Sequence, residues 1–366
     1  MKNKKNNTMD NISLNNKKKK MSKKKLALII FGSFIGTLLI AGVCVYFYLI
    51  NRINYESADD IVKAPSDLSA DAEAKVTDVP KLKNDSNIIN VLLIGEESIE
   101  MSTGKLDSGQ RGRSDCTICV SINRSKKTIK LVSFLRDTYV SIPGYQNNKL
   151  NAAYQFGGGP LLSTVIEQNY NIPIDGYIRV NFNDFQKIVD ALGGVNIELT
   201  SKEANYLNHT NYISESKNRG SLKEGTNHMN GNQALGYTRV RKQATTSDNH
   251  DDWGRTERQR NVIKAIFNEY KTKSLTDLIP IANELLPLAT TNMDHDQLIA
   301  LLGVALDLHV DELQTLSVPT VNEYNSFDDG NRVTDALQVN FYTLKQKIKD
   351  FINDVNQNPT ASPAAN

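Results

Sequence analysis

The alternation of apolar and polar positions divides this chain into one long uncharged run, a polar connector and a series of short strands and helices. Leu26 to Ile50 carries no charge over 25 residues. As a helix such a run reaches about 37 Å, enough to cross the hydrocarbon of a bilayer. Asn51 to Asn87 is polar and lacks periodicity, as a stalk would. Ile88 to Ile94 is a β-branched run that predicts a buried strand, and Asp115–Asn123 with Thr128–Leu135 predicts a hairpin around Arg124–Lys127. Helix then alternates with strand: helix over Pro160–Tyr170, strand over Gly176–Val180, helix over Asn181–Leu192 closed by Gly193-Gly194, strand over Val195–Leu199. A short helix is predicted over Asn230–Tyr237 and a mobile loop over Lys242–Asp252. Arg255–Lys271 follows as an amphipathic helix with Val262, Ile263, Ile266 and Phe267 on one side. Further helices are expected at about 275–289, 294–307 and 334–355, and a strand at Leu313–Val318.

Interleaved strands and helices predict an α/β protein, a single α/β/α sandwich with a central mixed sheet behind one N-terminal transmembrane helix. The implied organisation is a lysine-rich tail over 1–25, the span over 26–50, the stalk over 51–87, a catalytic domain over 88–272, its α/β completion over 273–356 and a tail over 357–366.

Charge orients this arrangement. Residues 1–25 hold ten lysines and one aspartate, +9, which leaves −7 for the rest of a chain whose formal total is +2. Lysine-rich flanks stay cytoplasmic, so the acidic remainder from Asn51 onward is expected outside the cell membrane. That sign also argues against a nucleic-acid partner. Three cysteines make no disulfide framework. Cys116 and Cys119 are three apart on a predicted strand and point to opposite faces, so they are expected as thiols. The five histidines show no zinc spacing.

Arginine, absent from the basic tail, falls in short clusters with acids: Arg113-Ser-Asp115, Arg136-Asp137, Arg239-Val-Arg241 and Asp252-Trp-Gly-Arg255-Thr-Glu-Arg258-Gln259. Its planar fork of donors fits phosphate oxygens in pairs. Several such forks beside a few carboxylates suit a pyrophosphate and its divalent metal, although any single arginine is more often in a surface ion pair.

These clusters, together with Asn90-Val-Leu-Leu-Ile-Gly95, Ser133-Phe-Leu-Arg-Asp137, Ile142-Pro-Gly, Lys149-Leu-Asn-Ala-Ala-Tyr154, Ala191-Leu-Gly-Gly-Val195 and Ala234-Leu-Gly-Tyr-Thr-Arg239, resemble the LytR–CpsA–Psr proteins of Gram-positive envelopes over roughly Asn90–Tyr270. The resemblance implies an enzyme: a phosphotransferase that moves a glycopolymer from a polyprenyl-(pyro)phosphate carrier onto peptidoglycan, assisted by Mg²⁺ or Mn²⁺. It implies Asp115, Arg136, Arg239 and Arg241 as catalytic residues. It implies Arg113, Asp137, Lys149, Asn151, Asp252, Arg255, Arg258 and Gln259 as substrate-binding residues. Asp115 and Glu97 are the implied metal ligands. The family's Gly-x-Asp-Ser-Arg element departs here to Gly95-Glu-Glu97-Ser-Ile99, so the acid is one methylene longer and the arginine is missing. Cys116 stands where the family usually has threonine. Phe156, Leu161, Leu162, Val165, Phe182, Phe185, Ile188 and Val189 are candidates for an apolar trench for the lipid, or for plain core. A polyprenyl-pyrophosphate hydrolase and a non-catalytic envelope regulator or scaffold of the same fold are the alternative functions. Residues 1–25 are too few for a helix-turn-helix.

Overall fold

The computed structural model describes residues 45, 47–56, 87–96, 112–307 and 310–354. The predicted span, apart from its last residues, most of the stalk, Glu97 and the tail lie outside them. Among the described residues no helix is long and apolar enough to cross a membrane.

In chain order the elements are β1 (Asn54–Tyr55), β2 (Ile88–Glu96), β3 (Ser114–Asn123), β4 (Thr128–Phe134), β5 (Tyr139–Val140), β6 (Asn148–Lys149), α1 (Leu150–Tyr170), β7 (Gly176–Asn181), α2 (Phe182–Ala191) and β8 (Val195–Leu199). There follow α3 (Ser201–His209), β9 (Gly225–Met229), α4 (Gly231–Arg239), α5 (Asp251–Lys271), α6 (Leu275–Leu285), β10 (Thr290–Thr291) and α7 (His295–Asp307). The last four are β11 (Gln314–Val318), β12 (Tyr324–Phe327), β13 (Ala336–Val339) and α8 (Phe341–Asn353).

Seven strands form one mixed sheet in the order β1-β10-β7-β2-β3-β4-β11. β2 runs parallel to β7 and antiparallel to β3. Period-two alternation sends Leu92, Ile94 and Cys119 into the core shared with α1 and α8, and Ile89, Val91 and Ile122 into the opposite one. Cys116 and Cys119 thus face opposite sides and are both free thiols. Burial raises both thiol pKa values, that of Cys116 to about 12. A separate cluster, including Val189, Val195, Leu207, Met229 and Val240, joins α2, β8, β9, α3 and α4. Residues after 272 add β10 and β11 to the main sheet.

Several expectations need correction. Over 334–355 the chain first forms β13, where Ala-Leu-Gln-Val alternates against β12, and Asn340 then caps α8. α1 starts ten residues before Pro160, with Leu150-Asn-Ala-Ala153 as its first turn after the extended Lys149, and it kinks at Gly157 and Gly158. Gly158 has φ 64° and ψ −157°, a backbone state that side chains disfavour. α5 starts at Asp251, its first turn holding Asp251 and Asp252 at the positive end of the helix dipole. α6 ends at Leu285 and gives way to a 3₁₀ turn over Leu286–Leu288. α3 adds a helix marked in sequence only by its capping box, Thr200-Ser-Lys-Glu203.

Candidate active site

The site lies where β3, β4 and the start of α5 converge. Arg136, two residues after the end of β4, is central. Its Nη1 donates to Asp115 Oδ1 in a charge-assisted hydrogen bond. Its Nε lies 3.6 Å from both Asp137 Oδ2 and Asp252 Oδ2. Arg255 approaches from α5, with Nη1 3.7 Å from Asp115 Oδ1 and Nη2 3.2 Å from Asp252 Oδ2. Arg241 Nε is 3.3 Å from Asp252 Oδ1, and Lys149 Nζ is 3.2 Å from Asp137 Oδ1. Three aspartates therefore share four cations, and the cluster keeps one positive charge in excess.

The donors are not all used. Arg136 Nε, Arg255 Nε and Arg255 Nη2 are buried and lack a hydrogen-bond acceptor. Arg255 Nη2 is close enough to feel the charge of Asp252 but is not aligned to bond it. Arg255 is only 3% exposed, and burial, reinforced by Arg136 and Arg241, lowers its guanidinium pKa to about 10. Buried, unmatched guanidinium donors destabilise the free protein and are matched when an anion arrives. Asp137 and Asp252 lie close enough for each to affect the other's protonation. Burial pushes both carboxyls up. In Asp137 the neighbouring Asp252, with Arg136 and Lys149, outweighs it and leaves the pKa lowered. In Asp252 burial, reinforced by Asp137, prevails over Arg255, and the pKa is raised.

An apolar cavity of about 250 Å³ adjoins this cluster, between β2, β3 and β7 and helices α2, α4 and α5. Phe182, Phe185, Ile188, Leu235, Ile263 and Ile266 are among its lining residues. Cys116 lines it too, next in sequence to Asp115. Gln259 joins cavity to cluster, since its Nε2 donates to the Asp115 carbonyl at 3.2 Å. Arg239 stands over the Phe182 ring, 5.5 Å from its centroid.

The structure brings together Asp115, Arg136, Asp137, Lys149, Arg241, Asp252, Arg255 and Gln259. Arg239 is the last residue of α4, and Val240 after it is extended and fully buried, which sends the chain to Arg241. Arg113 is exposed, with Nε 3.3 Å from Gln155 Oε1 on α1. Asn151 contributes its backbone N–H to the Arg136 carbonyl at 3.1 Å. Arg258 is placed elsewhere. It is fully buried, donates from Nε to Glu203 Oε1 at 2.9 Å, and holds the carbonyls of Val240 and Gln243 at 3.0 and 2.7 Å. Of the trench candidates Phe182, Phe185 and Ile188 line the cavity, whereas Phe156, Leu161, Leu162 and Val165 pack in the α1 core and Val189 in the α2 core. Helices with two apolar faces look alike in sequence, and only packing separates cavity from core.

The loop before α5, expected to be mobile, is tied down. Thr245 Oγ1 and Asn249 Nδ2 donate to Glu257 Oε2 at 2.9 and 2.7 Å, and Asp251 N donates to the Arg241 carbonyl at 2.9 Å. Gly254 permits this: a Cβ there would sit 2.6 Å from the Asn249 carbonyl oxygen. A second polar network escaped the sequence reading. Arg179 Nη1 pairs with Glu96 Oε1 at 3.1 Å, Tyr154 OH donates to Glu96, and Tyr177 OH donates to Glu56 Oε2 at 2.8 Å. The only available signal was an arginine inside a β-branched strand.

Among the described residues no group of three or more Asp, Glu, His or Cys forms a metal cage. Mg²⁺ is typically held by one or two carboxylates plus substrate phosphates, so the chemistry of Asp115 fits a metal that arrives with a diphosphate.

The LytR–CpsA–Psr (LytR_cpsA_psr) family model matches residues 52–350. The chain is 32% identical over 278 residues to the polyisoprenyl-teichoic acid–peptidoglycan teichoic acid transferase TagU of Bacillus cereus, covering 75% of this chain and 82% of that protein. It is equally 32% identical to the regulatory protein MsrR of Staphylococcus aureus, covering 75% of this chain and 76% of MsrR. In fold it is similar to the LytR-CPS2A-psr protein YwtF (TagT) with bound octaprenyl pyrophosphate lipid, with TM-score 0.53, 23% identity, and coverage of 78% of this chain and 97% of that one.

Proposed function

This chain belongs to the LytR–CpsA–Psr family, and from that premise we propose that it transfers a glycopolymer from a polyprenyl-(pyro)phosphate carrier to peptidoglycan, as a membrane-anchored enzyme facing outward. The observation that carries this reading is the apolar cavity opening beside buried arginine donors that lack acceptors. An isoprenoid diphosphate has both parts, an apolar chain and a charged head. TagU is named a transferase for this kind of donor and acceptor, which supports the same assignment.

The proposed chemistry is phosphoryl transfer. An acceptor hydroxyl oxygen bonds to the glycan-side phosphorus, the P–O bond to the second phosphate breaks, and polyprenyl phosphate leaves. Arg136, Arg241 and Arg255, with Arg239 at the cavity, would hold the phosphates and offset the charge growing on the leaving group. The hydroxyl proton would pass to the Asp137–Asp252 pair, where the raised pKa of Asp252 suits a proton acceptor. Asp115, with Glu97 beside it in the family pattern, would hold Mg²⁺ or Mn²⁺. The metal would supply further charge neutralisation at the diphosphate. Asp115 in turn sets the guanidinium plane of Arg136 through their hydrogen bond.

The test is product analysis with full-length protein, a lipid-linked glycan donor and peptidoglycan. Glycan covalently attached through phosphate to the wall polymer is the expected result. Release of glycan phosphate to water at the same rate with and without peptidoglycan would assign a hydrolase, and no turnover of the donor would assign a scaffold.

A further inference from the structure

We infer that α6 and the 3₁₀ turn after it form a second, non-covalent contact with the bilayer, lying in the lipid interface beside the point where the chain leaves the membrane. The inference rests on the membrane anchoring proposed above. α6 is rich in apolar residues, yet from Thr276 to Leu285 none of its side chains is buried. Leu278, Ile281, Leu285, Leu286 and Leu288 are only partly buried, and Ile279 is 48% exposed. By contrast α8, of similar length and far more polar, buries Leu344, Ile348 and Ile352. An apolar helix with no fully buried side chain in a folded domain marks a face that something else covers.

The chain itself argues what covers it. The apolar run ends at Ile50 and β1 begins at Asn54, so at most four residue steps, about 14 Å, separate them. β1 is zipped to β10, with Asn54 N donating to Ala289 O at 3.2 Å and Glu56 N to Thr291 O at 2.8 Å. Asn54 Nδ2 also donates to the Pro287 carbonyl, inside the 3₁₀ turn, at 2.6 Å. The strand that emerges from the proposed span is therefore bonded to the uncovered segment, within reach of the lipid headgroups. Tyr55 on β1 is 60% exposed, a residue type favoured at membrane interfaces. Asp277 and Glu284 are exposed on the helix, so the contact is apolar rather than an attraction to anionic lipid. α6 packs against α2, whose Phe182, Phe185 and Ile188 line the cavity. A bilayer at α6 thus gives the polyprenyl chain a short apolar route from lipid to site.

The test uses full-length protein in vesicles of dibrominated phosphatidylcholine, with unbrominated vesicles as reference. Ile279→Trp and, independently, Ile281→Trp add a reporter to the native Trp253 background. Tyr342→Trp on α8, where the native side chain is 84% exposed, is the control. Emission of the added α6 tryptophan should fall by at least half in brominated lipid, and remain quenched at high salt, while the Tyr342→Trp reporter is unchanged. Unchanged emission at both α6 positions overturns the inference, and that is also the outcome if another protein or a second copy covers this face. Quenching requires no turnover, so a protein that quenches but does not transfer would refute the proposed function and leave the membrane contact standing.

Discussion

Arg255 and Arg258 lie one turn apart on α5, and their surroundings differ in the acceptors that each guanidinium meets. Both are buried: Arg255 is 3% exposed and Arg258 is 0% exposed. Arg258 has an acceptor for each nitrogen, from Glu203, Val240 and Gln243. Arg255 has two nitrogens with none. Glu203, besides meeting Arg258, caps α3 by accepting from Thr200 N at 2.9 Å. Arg258 is bonded at every guanidinium nitrogen, whereas Arg255, though ion-paired with Asp115 and Asp252, keeps two buried donors without a hydrogen-bond acceptor. The difference teaches that burial of an arginine says little about its role until its acceptors are counted.

The largest effect is expected from breaking the matched pair. Arg258→Ala should lower stability by about 3–5 kcal/mol in denaturant titrations, because it leaves Glu203 buried and uncompensated. The double replacement Arg258→Met with Glu203→Gln should recover part of that loss. A mild effect of Arg258→Ala would mean that the pair is as dispensable as a surface bridge. Arg255→Ala should invert the pattern. Donor turnover should fall roughly 10²–10³-fold, as when one donor to a developing anion is removed, while the melting temperature holds or rises. Equal loss of stability in both variants would erase the distinction.

Smaller effects sharpen it. Arg241→Lys and Arg239→Lys keep the charge but lose the fork, so transfer should fall clearly, by about tenfold or more, with stability nearly unchanged. Wild-type turnover in both would remove them from the phosphate-binding role. The smallest effect concerns Asp252. Its folded pKa is raised above the ordinary 3.8, so the fold favours its protonated form. Wild-type stability from this group is present at low pH and declines as pH rises from 3.8 through the folded value. Asp252→Asn should escape that decline and be more stable at neutral pH, by on the order of 1 kcal/mol or less. Asp137, whose pKa is lowered, should show the opposite trend: Asp137→Asn loses stability at neutral pH. Melting curves of the two variants from acid to neutral pH check the signs.

Most strands and the hairpin were legible because a half-buried sheet imposes period-two alternation, as in β2 and β3. The arginine–aspartate clusters were legible because such short groups are conspicuous in a sequence, and the fold gathers Asp115, Arg136, Asp137, Arg241, Asp252 and Arg255 in one place. β13 was misread as helix because four residues are too few to establish a period. The loop at 242–250 was misread because its polar composition does not reveal that Glu257 and Arg258 bind it down.

The sequence by itself determined the α/β order, the arginine–aspartate inventory and the free thiols, since these follow from local periodicity and residue chemistry. Tertiary structure alone decided that Arg258 meets Glu203 in the core while Arg255 joins the arginine–aspartate cluster, that Phe182 lines a cavity while Val165 packs in the core, and that α6 keeps an apolar face exposed at Ile279. Each of these depends on which side chains meet across distant stretches of chain, such as Glu203 with Arg258, and spacing along the chain carries no record of such meetings.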